Sequence, residues 1–531
     1  DFLGHRAGLF RIAADDNQVV LWPGAVQLTS SRGAQPAGCA RNHNGLGSAI
    51  WRSHSTNPNR PRRGGAGQQF PCAENRSILP LVKHLLSIRQ WGPARLTAAG
   101  FLVLILVGTV LLMLPFAEAG TARASFLSAL FTATSAVSLT GLIVVDTGSF
   151  WSPAGQVIIL ALIQLGGLGI MSLASLSGLL FTGRISFKAR KTGAYEGRPI
   201  APGGIRKTLI FTFVFTAVAE TIIAVIVAAR LMIGYGHSFP RAVWEGIFHA
   251  VSAFNNAGFS TDSDNLVPFV SDAWILLPLA AALIGGGLGF PVWAELARLV
   301  RRDRHVVHRI SITARMTLAA TMVLLLAGGV FFACMEWTGL LSSMSLGDKW
   351  LNSFFASASP RTAGFNAIDY GQAHPITLMG TDILMFIGGG SAGTAGGIKV
   401  TTACVLLAAM AAEFTGRETT TIGHRSLPRS VTRQALALSF AGVMVVTLGV
   451  AALRFFDTEF SGDQVSFEVL SAFATVGLST GITASLSAPS QIVLCLIMYL
   501  GRVGPTTLVA ALAAKTVSRR FSYPEERPFL G

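Results

Sequence analysis

Hydrophobic positions along this chain gather into long runs, and within each pair of runs lies a shorter apolar stretch. From about Ala94 the order span, dip, span repeats four times. The first unit reads Leu96–Pro115, Ala124–Val137 and Trp151–Phe181, and the second Thr208–Ile233, Arg241–Phe254 and Ala273–Val300. The third reads Ile312–Trp337, Asp348–Ser359 and Ile376–Glu413, and the fourth Thr432–Phe455, Ser466–Ala474 and Ala488–Val517. A helix needs about 20 apolar residues to cross a bilayer. The long runs meet that length; the dips, at about nine to fourteen residues, do not. Taken singly, each dip fits either a re-entrant segment or a helix lying at the membrane surface. Four in register, each ending in a glycine turn, favour re-entry.

The turns are related in sequence: Leu139-Thr140-Gly141-Leu142, Asn256-Ala257-Gly258-Phe259, Thr362-Ala363-Gly364-Phe365 and Thr475-Val476-Gly477-Leu478-Ser479. Their glycines recur at steps of 117, 106 and 113 residues, and each has a phenylalanine ten positions before it: Phe131, Phe248, Phe354 and Phe467. Four positions after that phenylalanine stand Ser135-Ala136, Ser252-Ala253 and Ser471-Ala472, with Ala358-Ser359 departing in the third copy. This is the signature of an internal repeat.

The pattern therefore predicts an all-α polytopic membrane protein with eight spans, built as four pseudo-symmetric span–re-entrant loop–span units around one central pore. The unit boundaries are read at 91–190, 191–303, 304–416 and 417–520, flanked by an N-terminal segment 1–90 and a tail 521–531. Composition agrees: of 531 residues, 51% are hydrophobic and only 13% charged, against about 25% charged in soluble domains. Residues 1–77, rich in Gly, Pro, Arg, Asn and Ser, read as disordered and lack a signal peptide's layout. The chain does not begin with methionine, which leaves its native start unassigned. Ile78 to Leu86 is a short apolar stretch with basic residues, suited to the membrane surface.

The formal charge of +15 raises nucleic acid as a partner, but the basic residues lie mainly in the first ninety positions and between the repeats. That distribution sets topology. Arg184, Lys188, Arg190, Lys191, Arg198, Arg206 and Lys207 follow the first unit, and Arg298, Arg301, Arg302, Arg304 and Arg309 follow the second. Arg417, Arg425, Arg429 and Arg433 follow the third, and Lys515, Arg519 and Arg520 the last. These connections and both termini belong on the cytoplasmic side. The opposite side carries Asp146, Asp262, Asp264, Asp272, Asp369, Asp457, Glu459 and Asp463, an acidic vestibule that would concentrate cations. The five cysteines form no disulfide framework, and Cys39, His43, His54 and Cys72 match no zinc-ligand spacing, so no transition metal is expected.

Glycine reaches positive φ without steric cost, so a glycine turn can aim successive carbonyls along one axis. Four such turns would make rings of oxygens that replace the water shell of a monovalent cation. The candidate ion site is Thr140, Gly141, Ala257, Gly258, Ala363, Gly364, Val476 and Gly477. The inner spans are also glycine-rich: Gly166-Gly167-Leu168-Gly169, Gly285-Gly286-Gly287-Leu288-Gly289, Gly388-Gly389-Gly390 and Gly501-Arg502-Val503-Gly504. Close helix approach accounts for small residues in spans. The third goes further, because Gly388-Gly389-Gly390-Ser391-Ala392-Gly393-Thr394-Ala395-Gly396-Gly397 cannot sustain a helix. It predicts a break at membrane depth, facing protein or a wet cavity. A phosphate-cradling loop would need a strand before it, which is lacking. Lys399 and Arg502 are costly in a membrane unless they face the pore or a partner, and read as holding or tuning that break. Glu220, in mid-span, is either a neutral packed carboxyl or a second ion contact.

Ser138-Leu139-Thr140-Gly141-Leu142, Asn255-Asn256-Ala257-Gly258-Phe259, Arg361-Thr362-Ala363-Gly364-Phe365-Asn366 and Thr475-Val476-Gly477-Leu478-Ser479, set in four span–loop–span units, resemble the Trk/Ktr/HKT superfamily of potassium transporters over residues 90 to 520 or so. The resemblance implies potassium uptake across a bacterial plasma membrane, passive or ion-coupled, with one filter glycine per unit. Glycine in all four places is associated with potassium preference, and serine in the first with sodium; here that position is Gly141. Ser138 stands where bacterial relatives often have cysteine. The glycines 388, 389, 390, 393, 396 and 397, with Lys399 and Arg502, fall where the family has its intramembrane gating loop and the residues that hold it. With no extra pair of spans before residue 90, the likeness is to the eight-span membrane subunit of the Ktr type. It implies a homodimer, and a separate cytoplasmic ring of KtrA type that binds ATP or ADP, while this chain itself binds no cofactor beyond the transported K+ and Na+ as a coupled or activating ion.

Two other classes compete. An alternating-access, cation-coupled secondary transporter also has repeats and broken spans, but its repeats are commonly inverted. An enzyme would need a convergent set of His, Cys or carboxylates at the span ends, and the sequence offers none.

Overall fold

The computed structural model describes residues 93–120, 123–182, 204–300, 310–391, 393–423 and 425–514. The segment 1–90 with its surface stretch, the candidate zinc residues, most of the basic connections after the first two units, Ala392, Lys515, Arg519, Arg520 and the tail 521–531 lie outside them.

Among the described residues the long elements are helices. In chain order they are α1 (Pro93–Leu112), α2 (Phe126–Ser138), α3 (Pro153–Thr182), α4 (Gly204–Tyr235), α5 (Phe239–Phe254), α6 (Ala273–Leu288) and α7 (Phe290–Val300). There follow α8 (Ile312–Glu336), α9 (Leu346–Ala358), α10 (Pro375–Phe386), α11 (Val400–Phe414), α12 (Arg429–Phe456), α13 (Gly462–Ala474) and α14 (Ala488–Ala514). A two-residue antiparallel ladder, β1 (Thr421–Ile422) with β2 (Arg425–Ser426), joins α11 to α12.

The four dips are the helices α2, α5, α9 and α13, and the sequence explains their starts. Ser125, Ser345 and Ser461 accept hydrogen bonds from the backbone N–H groups of Ser128, Asp348 and Gln464, and Ser461 with Gln464 closes a capping box. Phe239-Pro240 opens α5 instead, with proline in the first turn, where its missing N–H costs nothing.

Among the described residues three helices are long and apolar enough to cross a membrane, Ile210–Tyr235, Ile312–Glu336 and Arg429–Phe456, and α6 with α7 makes a fourth when the bent pair is taken as one span. The outer helices present rows of apolar side chains outward, such as Val214, Val218, Ile222 and Val225 on α4 and Met322, Val323, Leu326 and Val330 on α8. A soluble fold would bury such faces.

The inner spans depart from the sequence expectation of continuous helices at Trp151–Phe181 and Ala273–Val300. Gly169 has φ 68° and ψ 141°, which breaks α3, and Gly289 has φ 90° and turns α7 by 98° from α6. Each break follows the run Gly-Leu-Gly, where no Cβ opposes the non-helical backbone. The third break spans Ile387 to Lys399, between α10 and α11.

Packing follows a cycle. Within the first, second and fourth units the three helices pack on one another, and in the third α8 packs on both α9 and α10. Between units, α3 packs on α5, α6 on α9, α10 on α13 and α14 on α2, so the last inner helix returns to the first short one. The aligned aromatics anchor these junctions: Phe131, Phe248 and Phe467 are fully buried, each contributing about 2–3 kcal/mol of apolar burial. The third copy is a correction to the sequence alignment, because Phe355 takes the buried place while Phe354 is only half-buried.

Candidate functional site

The turns that follow α2, α5, α9 and α13 share one backbone pattern. The residue two before each glycine has positive φ, Leu139 at 60°, Asn256 at 57°, Thr362 at 86° and Thr475 at 50°. Each glycine is positive again, at 91°, 71°, 73° and 96°. Non-glycine residues adopt this region at a cost of order 1–3 kcal/mol, so the conformation is held from outside the turn. Backbone bonds do part of that work. Thr140, Ala257 and Val476 donate to the carbonyls of Ser135, Ser252 and Ser471, five residues earlier. In the third turn the bond from Ala363 goes to Ser359, four earlier. The swapped Ala358-Ser359 pair thus marks a helix that ends one residue out of step.

Side chains do the rest. Ser135 Oγ accepts from Gly141 N–H and Ser471 Oγ from Gly477 N–H, both at 3.0 Å. Their recurrence was visible in the sequence; their task was not.

The four glycines meet. A Cβ built on Gly141 would lie 3.1 Å from the Cα of Gly258, and one on Gly258 3.1 Å from that of Gly364. One on Gly364 would lie 3.0 Å from Gly477, and one on Gly477 2.9 Å from Gly141, which closes the ring. In each case the nearest atom is the carbonyl oxygen of the residue before the next glycine: Ala257, Ala363, Val476 and Thr140. All eight candidate ion-site residues are therefore at one place, with Thr140, Ala257, Ala363 and Val476 buried. The ring has no room for a fifth carbon on any corner.

A cavity of about 470 Å³ opens against the ring, lined by Gly141, Gly258 and Gly477, with Asn366 from the third turn. Asp262, Asp264 and Asp369 also line it. Burial pushes the Asp262 carboxyl above the ordinary aspartate range. Other acidic residues of the expected vestibule have local work: Asp272 caps α6 at Trp274 and pairs with Arg230, and Asp457 accepts from Ser487. The sequence reading of a uniformly acidic mouth is narrowed to the residues that line the cavity.

Beside the ring lies the glycine run. Gly390 N–H donates to Gly287 O at 2.8 Å, and Thr394 N–H reaches Gly286 O at 3.5 Å, so the run rests on the end of α6. It also approaches the turns, because a Cβ on Gly396 would meet Ala474 and Thr475, and one on Gly388 would reach Thr362. Gly388 N–H donates to Ile398 O and Val400 N–H to Gly389 O, which pinches the run into a loop. A Cβ on Gly389 would meet Gly287 O at 2.7 Å, and one on Gly393 the Gly286 carbonyl at 3.0 Å. Lys399 Nζ donates to Ala395 O within the loop, and Arg502 donates to Thr394 O and, at 3.2 Å, to Gly166 O. The candidate gate residues, Gly388, Gly389, Gly390, Gly393, Gly396, Gly397, Lys399 and Arg502, are thus assembled directly beside the glycine ring.

The remaining inner-span glycines allow close packing. A Cβ on Gly166, Gly286 or Gly501 would strike the carbonyl of Val137, Phe254 or Phe473, at the last turn of α2, α5 or α13. Glu220, for which the sequence offered no partner, accepts from Gln164 Nε2 at 3.3 Å and from Asn255 Nδ2 at 3.0 Å. These partners are 56 and 35 residues away, and no local pattern pairs them.

The family model described as TrkH, a cation transport protein, matches residues 92–522. The Ktr system potassium uptake protein B of Bacillus subtilis is 38% identical over 443 residues, covering 83% of this chain and 97% of the relative. The potassium/sodium uptake protein NtpJ of Enterococcus hirae is 36% identical over 449 residues, covering 83% and 98%. The crystal structure of the potassium transporter TrkH from Vibrio parahaemolyticus has a similar fold, with a TM-score of 0.60 at 22% identity over 78% of this chain and 85% of that one.

Proposed function

The chain belongs to the TrkH family of cation transport proteins, and from that premise we propose that it takes up potassium through a channel-like pore whose narrow part is the ring of glycine turns. The observation that carries this reading is the closed contact from Gly141 to Gly258, Gly364, Gly477 and back. Carbonyls of Thr140, Gly141, Ala257, Gly258, Ala363, Gly364, Val476 and Gly477 would compensate a dehydrated ion for its lost water. The C-terminal, negative ends of α2, α5, α9 and α13 lead into the same ring and favour a cation there. The units 91–190, 191–303, 304–416 and 417–520 act as pseudo-symmetric copies, with eight spans when each interrupted inner helix counts once.

The loop Gly388 to Gly397 is the gate, and Lys399 and Arg502 hold it. The names of the relatives, potassium uptake and potassium/sodium uptake, support K+ as the transported ion, with Na+ as a coupled or activating ion. The name of the Ktr-system relative supports a multi-subunit system, and the reading extends to a homodimer in a bacterial plasma membrane, working with a cytoplasmic nucleotide-binding ring of KtrA type. Arg417, Arg425, Arg429 and Arg433 between α11 and the first turns of α12 would face that ring, and the Asp-lined cavity the outside.

The test is rescue of a potassium-uptake-deficient bacterium, with and without the ring subunit, by the wild type and Gly141→Ser. The wild type restores growth at low potassium. Gly141→Ser loses potassium preference, its K+ to Na+ uptake ratio falling about tenfold for a ring weakened by roughly 1.4 kcal/mol, and its total uptake falls too, because its Cβ would strike Ala257 O. A wild type that supports no uptake in either setting sinks the proposal. Asp262→Asn should raise the half-saturating potassium concentration about two- to threefold at low ionic strength and little at high salt, because a fixed charge lining a water-filled mouth acts on ions outside over roughly one Debye length. An effect equal at both salt concentrations would remove the vestibule from the account.

A further inference from the structure

The second and fourth turns are held from behind by a polar device that the first and third lack. On two of the short helices the residue after the aligned phenylalanine bonds the serine two positions beyond the glycine. In α5 this is His249, whose Nε2 lies 3.0 Å from Ser260 Oγ. In α13 it is Glu468, whose Oε1 accepts from Ser479 Oγ at 2.5 Å. The two pairs are separated by the same eleven residues and start at the same register.

The serines are wired alike as well. Ser260 Oγ accepts from Asp262 N–H at 3.0 Å, and Ser479 Oγ from Gly481 N–H at 2.8 Å. Each serine therefore ties the backbone leaving the turn to the helix that entered it. Glu468 adds bonds from Thr480 N–H at 3.0 Å and Thr483 Oγ1 at 2.8 Å, with both carboxyl oxygens engaged. Glu468 is fully buried and His249 is 2% exposed, while their serine partners also line the cavity.

At the same place the first copy has Thr132, whose Oγ1 has no partner among the described residues, and Ile143 stands two beyond its glycine. The third copy has Phe355 and Ala356 there, and its turn is tied instead by Ser359 Oγ, which donates to Phe365 O. The braced turns are the second and fourth, and in the ring order 141, 258, 364, 477 these are diagonal corners.

We propose that His249 and Glu468, through Ser260 and Ser479, are positioning residues that fix the width of the glycine ring along one diagonal and thereby set its discrimination between potassium and the smaller sodium ion. The proposal rests on the reading of the ring as the cation filter. An oxygen ring that holds its span against collapse leaves a small ion under-coordinated; a ring released on one diagonal can close onto it. Ser260 and Ser479 also line the cavity, whereas His249 and Glu468 do not and act on the ring only through the backbone they hold, so Glu468→Gln separates bracing from direct contact.

The experiment is uptake of K+ and of Na+ by the purified full chain in liposomes, expressed as a ratio. Ser479→Ala removes one hydroxyl and leaves the buried carboxyl three other donor groups; it should lower the ratio about fivefold, and Glu468→Gln about tenfold. Ser260→Ala should lower it as well, because it removes the hydroxyl through which His249 holds that turn, and the Ser260→Ala/Ser479→Ala pair more than either. Ser479→Thr, which keeps the hydroxyl, should restore the ratio. Glu336→Gln is the control: Glu336 is 2% exposed and accepts from Leu340 N–H, His374 N–H and Thr377 Oγ1, away from the turns. It should leave the ratio unchanged whatever it does to stability. Ratios within twofold of wild type in both Ser479→Ala and the double variant, or an equal shift in Glu336→Gln, overturn the braces while a selective wild type keeps the filter. If Glu468→Gln does not fold, the serine variants decide. A wild type that does not prefer potassium overturns both readings together.

Discussion

Gly477→Ala is expected to abolish potassium uptake, a loss of at least about 100-fold, while the protein still reaches the membrane. Three costs fall on one added carbon. Gly477 sits at φ 96°, where an alanine pays backbone strain of order 1–3 kcal/mol. Its Cβ would also strike the Thr140 carbonyl oxygen and come within 2.9 Å of Gly141 Cα. Both obstacles are main chain of another turn, so no rotamer change relieves them. Relief requires the fourth turn to withdraw from the first, which opens the ring and, on the proposed reading, removes oxygens from the ion. Growth of a potassium-uptake-deficient strain on submillimolar potassium, normalised to membrane abundance, measures the loss. Gly462→Ala is the comparison, since a Cβ there meets nothing within 4 Å and the position lies at the start of α13. Wild-type uptake by Gly477→Ala would remove the ring from the transport path.

The second large effect is of opposite sign. Arg502→Ala should raise potassium flux through the membrane subunit on its own by about tenfold or more and weaken its dependence on a ring partner. Arg502 ties the loop carbonyl of Thr394 on one side and Gly166 of α3 on the other, and bonds from a charged donor are worth about 1.5–3 kcal/mol each. What remains on the loop among the described residues includes backbone bonds to Gly286 and Gly287 of α6, the Ser391 to Thr401 hydroxyl bond, its packing on the turns and its own internal bonds. Loss of the guanidinium should shift the loop toward its displaced state by the corresponding factor. Flux assays in liposomes without the partner read this directly. A folded Arg502→Ala protein with unchanged or lower flux would show that the loop is not restrained by that side chain.

Much of this site is legible in the sequence, because the information is local. A glycine turn after a short apolar helix is specified by its own residues, and four copies repeat the message. The serine caps of α2, α9 and α13 and the glycine run before Lys399 belong to the same class. The misplaced aromatic of the third copy shows the limit. Phe354 and Phe355 are equally apolar, and only the direction in which α9 ends, four residues to Ala363 rather than five, decides which one is buried. The breaks at Gly169 and Gly289 show another limit, since glycine permits a helix to bend without requiring it.

The chain by itself determined the helices, their order, the four turns and the residues that had to be small. Tertiary structure alone decided that the turns touch in a cycle, that Arg502 reaches the loop, that Gln164 and Asn255 reach Glu220, and that Asp272 and Asp457 cap helices while Asp262 faces the cavity. Periodicity and capping act over a few residues and leave a trace at that spacing. Contacts across a ring join positions a hundred or more residues apart, and these are fixed only when all the apolar faces are packed at once.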